Sequence, residues 1–183
     1  MNPTALAQAA PPTSRAMPWR PLLASAAVTM LVLSLARGSG QSVDAFLAIA
    51  SAALASLVVA ALHDPAASLL ATVPVSAMQR RLLRLVLVTL PVLALWWTVT
   101  LISGATSGPG PILALAASGV AVAVWVPPDR GVLLGGCVPL GWYAIDQLAP
   151  WTGVAADVVG WWRTESWSVT TVAVLVLIAG RRR

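Results

Sequence analysis

Few side chains in this sequence have the chemistry that a reaction would need, and Asp146 is the first of them. It is the only acid inside a predicted apolar helix, near the end of the run at 131–149, with Tyr143 and Trp142 within a turn of it. An ionisable group within a membrane is costly, so its presence indicates a proton relay or a cation contact. A solvated acid near the outer membrane surface, beside interfacial aromatic rings, explains the same residues. Both interpretations stay open.

Two adjacent tryptophans, Trp96 and Trp97, lie deeper in another apolar run, at 82–103. Tryptophan is typical of the membrane–water interface, and most other tryptophans of this chain lie near the ends of apolar runs. We therefore expect one ring of the pair to face a partner helix or a cavity. Together with Tyr143 and Asp146, the pair forms the predicted lining of a pathway through the protein.

The chain contains no lysine, and it has a single histidine, His63, and a single cysteine, Cys137. A P-loop places a lysine on the nucleotide phosphates, and a Schiff base requires a lysine amine. One Cys and one His exclude a disulfide framework and a Cys/His metal cluster within one chain. We therefore expect no enzyme, no cofactor and no metal site here. ATP-driven work would be done by another chain.

The composition is that of a membrane protein. Of the 183 residues, 58% are hydrophobic and 9% are charged, and the mean hydropathy is +0.85. A soluble domain has about a quarter of its residues charged. A membrane-spanning helix needs about 20 mostly apolar residues, and six runs of the sequence approach that length: 21–36, 45–62, 82–103, 112–126, 131–149 and 168–180. The predicted fold is an all-α polytopic membrane protein, with about six transmembrane helices in one domain at 21–180.

The arginines predict the orientation. With the N-terminus in the cytoplasm, nine of the eleven arginines fall in cytoplasmic segments, and only Arg37 and Arg163 fall outside. Cytoplasmic segments of membrane proteins carry such an excess of positive charge. We therefore expect residues 1–20 and the arginine tail at 181–183 in the cytoplasm, and a location in the inner (plasma) membrane. Residues 1–20 have no apolar core of signal-peptide length before Arg20, so no cleaved signal peptide is expected. Heavy use of Ala, Val and Arg without Lys is typical of a GC-rich bacterial genome.

An arginine-rich elbow, HDPAASLLATVPVSAMQRR at residues 63–81, separates the second apolar run from the third. Asp64 can accept a hydrogen bond from an unpaired backbone N–H of a helix that starts with Pro65. Pro74 ends that helix, because it cannot continue without losing a backbone hydrogen bond. The sequence SAMQ at 76–79 then has the spacing of a capping box. The elbow is predicted to be a short cytoplasmic helix, a break and a new helix start.

Leu69, Leu70 and Val73 give the short helix an apolar face, and Arg80 and Arg81 follow it at the membrane surface. One interpretation is an interfacial linker with its arginines at the anionic inner leaflet, which needs no partner. The other is a docking helix on which an ATP-driven partner pushes.

The elbow resembles the coupling-helix region of the type-2 permease family of ATP-binding-cassette exporters. The resemblance is carried by DP at 64–65, LLATVPVS at 69–76 and RRLL at 80–83. It implies six spans with both termini inside, and a partly re-entrant extracellular segment for which residues 147–167 are the candidate. A plain surface loop rich in interfacial tryptophan explains that segment equally well, because its charged side chains would be solvated there. The resemblance also implies a set of partner-docking residues: Asp64, Pro65, Leu69, Leu70, Val73, Pro74, Arg80 and Arg81.

The resemblance implies a transmembrane subunit of an ATP-driven exporter. Such a subunit forms half of the translocation pathway, pairs with a second permease subunit, and docks a separate nucleotide-binding ATPase, here through residues 64–78. Two alternatives stay open: a non-catalytic accessory or assembly protein of the membrane, and a small proton-coupled carrier that uses Asp146. Topology accounts for the basic residues, so nucleic acid is not an expected partner.

The glycine-rich stretch at 131–141, GVLLGGCVPLG, lies in an apolar run and has no lysine. A phosphate cradle is therefore not expected. Close helix packing or a bend before Pro139 explains the glycines better. Cys137 is expected to be a small buried hydrophobic residue.

Overall fold

The computed structural model describes residues 19–39, 43–63, 77–148 and 151–180, and the regular structure in those ranges is entirely helical. The seven helices there are α1 Trp19–Ser39, α2 Val43–Ala60, α3 Ala77–Ser103, α4 Gly110–Trp125, α5 Pro128–Leu148, α6 Val154–Thr164 and α7 Ser166–Gly180. The predicted all-α fold is confirmed. Each of the six apolar runs corresponds to one helix, and the additional helix, α6, lies within the segment 147–167.

Two of the described helical segments are long and apolar enough to cross a membrane: α2 and residues Arg81–Ser103 of α3. Leu23–Leu35 in α1, together with α4 and α7, are apolar but shorter. At 1.5 Å per residue, α4 and α7 extend about 24 and 22 Å, against about 30 Å of hydrocarbon in a typical bilayer. Helix length and composition therefore support membrane association without establishing six spans.

The core lies between α2, α3 and α4. Leu47, Leu54 and Val58 recur at helical spacing along the buried face of α2, where they join a cluster with Trp96 of α3 and Leu115 of α4. α4 packs on α2, α5, α6 and α7, whereas α1 contacts α2 and α3. The cluster therefore fixes the positions of α2, α3 and α4 relative to one another.

Helices α2 to α5 run alternately up and down, and their ends form two groups. In one group, Arg84 near the start of α3 donates a hydrogen bond to the carbonyl of His63 after α2, at 2.9 Å. In the other, Asp146 near the end of α5 pairs with Arg163 of α6. The described side chains at the two ends differ in charge. The first, the arginine end, contains Arg81, Arg84 and Arg130, and the second, the acidic end, contains Asp44, Asp146, Asp157 and Glu165, with Arg163.

α4 and α5 cross with their backbones in contact. A Cβ added to Gly119 would lie 2.6 Å from the carbonyl oxygen of Gly135, and one added to Gly135 would lie 2.7 Å from the Cβ of Ala123. The glycine-rich stretch therefore provides close helix packing, and α5 continues through the buried Pro139. The expected burial of Cys137 is wrong, because this residue is exposed. It follows Gly135 by two residues, about 200° around the helix, and so faces away from α4.

Gly135→Val is expected to destabilise the folded chain by about 1–3 kcal/mol, because the new side chain must push α4 and α5 apart. Gly136→Val is the matched control, since a Cβ added there has no atom within 4 Å. Both changes replace a helical glycine of α5 by the same β-branched residue. Thermal unfolding in detergent compares the two, and equal midpoints would contradict the Gly119–Gly135 contact.

Candidate functional site

Most of the predicted docking residues cannot be placed. Asp64, Pro65, Leu69, Leu70, Val73 and Pro74 lie outside the described residues. Arg80 and Arg81 belong to α3, and the side chain of Arg81 is exposed. Their role in docking therefore stays a prediction.

Arg84 links the two helices that flank the elbow. This side chain is 4% exposed, and its Nη1 donates to the carbonyl oxygen of His63 at 2.9 Å. Hydrogen bonds from a charged donor are roughly twice as strong as neutral ones. The bond joins the end of α2 to the start of α3, the two described helices that flank residues 64–76. Sequence reasoning assigned Arg84 no site role, because a cluster of arginines at a membrane boundary is already explained by orientation.

Asp146 is buried and paired. Its side chain is 7% exposed, and its Oδ2 lies 2.7 Å from Nη2 of Arg163, whose side chain is 46% exposed. The guanidinium of Arg163 also lies 5.3 Å from the centre of the Trp162 ring. Gln147 adds a hydrogen bond to the same carboxylate oxygen at 3.3 Å. The acid that the sequence singled out thus has a cationic partner, supplied by α6.

Trp96 and Trp97 point to different sides of α3. Trp96 is 1% exposed and belongs to the core, whereas Trp97 is exposed on the outside of the bundle. Tyr143 is half-buried and packs against the core cluster. Arg163 connects two of the four predicted pathway residues. It pairs with Asp146, and it lines a cavity together with Trp96.

This cavity, of about 230 Å³, lies at the acidic end between α2, α6 and the α3–α4 connection. Its polar lining residues are Asp44, Ser51, Trp96, Ser107, Trp162 and Arg163. Trp96 and Trp162 are each 1% exposed, and their indole Nε1 atoms have no hydrogen-bond partner in the structure. We refer to it as the indole cavity. The sequence predicted that one of Trp96 and Trp97 faces a partner helix or a cavity, but it gave Trp162 no site role.

An apolar groove of about 280 Å³ adjoins the indole cavity. It runs between α1 and α2 and is lined by residues that include Val28, Val32, Phe46 and Val99. Leu47 lines both spaces. The acidic end therefore has a polar compartment and an apolar compartment on either side of one leucine.

Removing Arg163 is expected to destabilise the folded chain more than removing its partner, Asp146. Arg163→Gln leaves a nearly buried carboxylate without its cation, whereas Asp146→Asn leaves a half-exposed guanidinium that water can solvate. We expect Arg163→Gln to cost about 1–2 kcal/mol and Asp146→Asn less, because the exposed side of the pair is already screened. The double variant should recover part of the loss. A double-mutant cycle of unfolding free energies measures this, and equal losses for the two single variants would contradict it.

Comparisons with known proteins found no matching family model, no similar curated protein and no similar solved structure. The described residues are thus characterised by their own fold: their regular structure is helical, and two segments are long and apolar enough to cross a membrane.

Proposed function

We propose that this chain is a multi-pass protein of the cell inner membrane, with six helices crossing the bilayer and both termini in the cytoplasm. The outer face of α3 supports this. It exposes an apolar stripe along nearly the whole helix, formed by Leu82, Val86, Leu90, Trp97 and Leu101. From residue 82 to residue 101 the stripe extends about 28 Å, close to the thickness of the hydrocarbon core. A soluble monomer rarely exposes a continuous apolar surface of that size.

The charges support an orientation with the arginine end in the cytoplasm, since cytoplasmic segments are enriched in arginine. α4 and α7 are short for spans, and local thinning of the bilayer accommodates such helices at a modest cost. Two cysteine variants in a Cys137→Ser background test the orientation: Ser107→Cys in the α3–α4 connection and Pro127→Cys between α4 and α5. An impermeant maleimide should label the first in intact cells and the second only after permeabilisation. The reverse pattern would contradict the proposal.

Within this membrane setting, the chain serves as the transmembrane subunit of an ATP-driven exporter of the ATP-binding-cassette type. The observation that carries the proposal is the hydrogen bond between Arg84 and His63, which closes the base of the elbow at the arginine end. Because this hydrogen bond holds the end of α2 to the start of α3, a partner that pushes on the elbow would move the two helices together. A loop that was loosely attached to the helices would bend instead and would not transmit the motion. Residues 64–78 are the proposed docking segment for the ATPase, by analogy with the family that the elbow resembles.

The translocation pathway in this proposal forms between two permease subunits, either two copies of this chain or this chain and a related one. α7 offers a surface for such a partner. It packs on the bundle along a narrow face that includes Val169, Ala173 and Gly180, and most of its other side chains are exposed. α6 supports the re-entrant assignment of 147–167, because it is a short helix that contacts α4, α5 and α7 at the acidic end.

A proton-coupled carrier would need Asp146 to bind and release protons during transport. The ion pair with Arg163 instead gives that carboxylate a fixed partner, so the exporter proposal assigns it no transport step. An accessory membrane protein, whose elbow lies on lipid without a partner, is the alternative that the following experiment separates from an exporter subunit.

The test is purification of the wild-type chain from its native membrane in mild detergent, followed by mass spectrometry and an ATPase assay. Co-purification of an ATP-binding-cassette ATPase subunit, with activity in the same fractions, supports the proposal. A folded and abundant preparation that contains no ATPase contradicts it.

A further inference from the structure

Only some of the polar residues around the indole cavity have enough accessible surface to contact a ligand. Trp96 and Trp162 are each 1% exposed. Ser51 is 2% exposed, and its hydroxyl already donates to the carbonyl of Leu47 at 2.7 Å. The polar lining residues that are more accessible are Asp44, Ser107 and Arg163. Recognition of a ligand in the cavity therefore depends on these three side chains.

The two charged side chains of the cavity differ in how their charges are balanced. The guanidinium of Arg163 pairs with the carboxylate of Asp146 at 2.7 Å. Asp44, in the first turn of α2, has no hydrogen-bond or ion-pair partner among the described residues. It also lies at the end of the bundle where the described acids outnumber the arginines. A cleft lined by charges of one sign attracts ligands of the opposite sign, so the ligand expected here is a cation.

The available oxygen atoms fit an organic cation better than a metal ion. Calcium, for example, takes about six to eight oxygen ligands, and among the described residues no three His, Cys, Asp or Glu side chains are grouped to hold a metal. Next to Asp44 the cavity offers the hydroxyl of Ser107 and the apolar side chains of Leu47 and Pro111. An ammonium group can form a charge-assisted hydrogen bond with the carboxylate. Its carbon substituents then lie against the apolar wall.

The apolar groove between α1 and α2 can hold the rest of such a ligand. Asp44 and Leu47 are three residues apart on α2 and so lie on the same side of the helix, and Leu47 lines both spaces. The groove follows α2 from Phe46 to Ala53, a length of about 10 Å. The groove of about 280 Å³ and the cavity of about 230 Å³ together fall within the range of about 300–1,000 Å³ that is typical of ligand sites.

We propose that the acidic end binds a hydrophobic organic cation. Its ammonium group lies beside the carboxylate of Asp44 and the hydroxyl of Ser107, and its apolar body extends past Leu47 into the groove. Binding requires the folded chain alone. The further step, that such cations are the cargo of an exporter, rests on the proposed function. Failure to co-purify an ATPase would remove that step and leave the binding site intact.

Binding of radiolabelled octylammonium to the purified chain in lipid nanodiscs tests the site, with empty nanodiscs measuring partition into the lipid. Octyl sulfate, which has the same alkyl chain and the opposite charge, and ethylammonium, which has the same head and a short chain, are tested as competitors. We expect saturable binding, with both competitors at least about tenfold weaker than unlabelled octylammonium. Equal competition by octyl sulfate, or no saturable binding above that of empty nanodiscs, would overturn the proposal.

A pair of acid variants locates the ammonium group. Asp44→Asn removes the carboxylate charge with little change in shape and should weaken octylammonium binding about tenfold. Asp157→Asn is the matched control, because Asp157 is an exposed acid of the same end that does not line the cavity. Equal weakening in both variants would show that only the overall negative charge attracts the cation. That result would contradict the assignment to the cavity.

A pair of alanine variants locates the alkyl chain. Ala50→Phe fills the groove from α2 and should weaken octylammonium binding at least about tenfold. Ala94→Phe is the control, because Ala94 is exposed on α3 and does not line the groove. The thermal unfolding midpoint of each variant without ligand shows whether it is folded. Unchanged binding by folded Ala50→Phe would place the chain elsewhere and overturn the assignment, and if that variant does not fold, the acid pair decides the test.

Discussion

Replacing Leu69 and Leu70 by aspartate is expected to release the proposed ATPase partner from the chain without unfolding the helical bundle. The two leucines form the centre of the apolar face predicted for the docking helix. A carboxylate introduced into a desolvated contact must lose its hydration without gaining a partner. Hot-spot residues at the centre of an interface cost about 2 kcal/mol or more when altered, so the double change should weaken docking at least about a hundredfold if the leucines form the centre of the contact.

The measurement is the amount of ATPase subunit retained per mole of purified chain, wild type against variant. Ser68→Asp with Ala71→Asp is the matched control, because it adds the same two charges to the opposite side of the predicted helix. Retention of the ATPase by the control and its loss from the Leu69/Leu70 variant would support docking through the apolar face. Equal retention by both would contradict it.

The positions of the helices could be predicted from the sequence, because a helix that buries apolar side chains requires a run of neighbouring apolar residues. The run at 45–62 became α2, Val43–Ala60, and the run at 82–103 became most of α3, Ala77–Ser103. Alternation of the helices then brings the end of one beside the start of the next, and the Arg84–His63 contact follows that pattern. The glycines at 131–141 were also interpretable, since glycine in an apolar helix permits close approach.

The chemistry of the site could not be read in the same way, because it depends on residues far apart in the sequence. Asp146 was identified as costly, but its partner Arg163 comes from a helix in a segment that was equally compatible with a surface loop. Trp162 resembled an interfacial tryptophan, and its burial depends on how α6 folds against the bundle. No local pattern predicts that Trp96 and Trp162 line one cavity.

Arg84→Met is expected to loosen the base of the elbow while leaving most of the bundle folded. Methionine keeps much of the buried length of the side chain and removes the donor to the His63 carbonyl. A hydrogen bond from a charged donor contributes about 1.5–3 kcal/mol, so local opening there should increase about ten- to a hundredfold. The global cost should be smaller, because replacing a buried charge by an apolar side chain also removes a desolvation penalty.

Hydrogen exchange of the amides at the end of α2 measures this opening. Ala61, Leu62 and His63 donate there to the carbonyls three or four residues earlier, and their exchange should accelerate in the variant while amides in the middle of α2 stay protected. Arg81→Met is the matched control, because Arg81 is an exposed arginine less than a turn away on α3. Faster exchange in both variants would point to a general loss of charge at the membrane surface. Faster exchange in Arg84→Met alone identifies Arg84 as the residue that fixes the elbow to the two helices a docked partner would move.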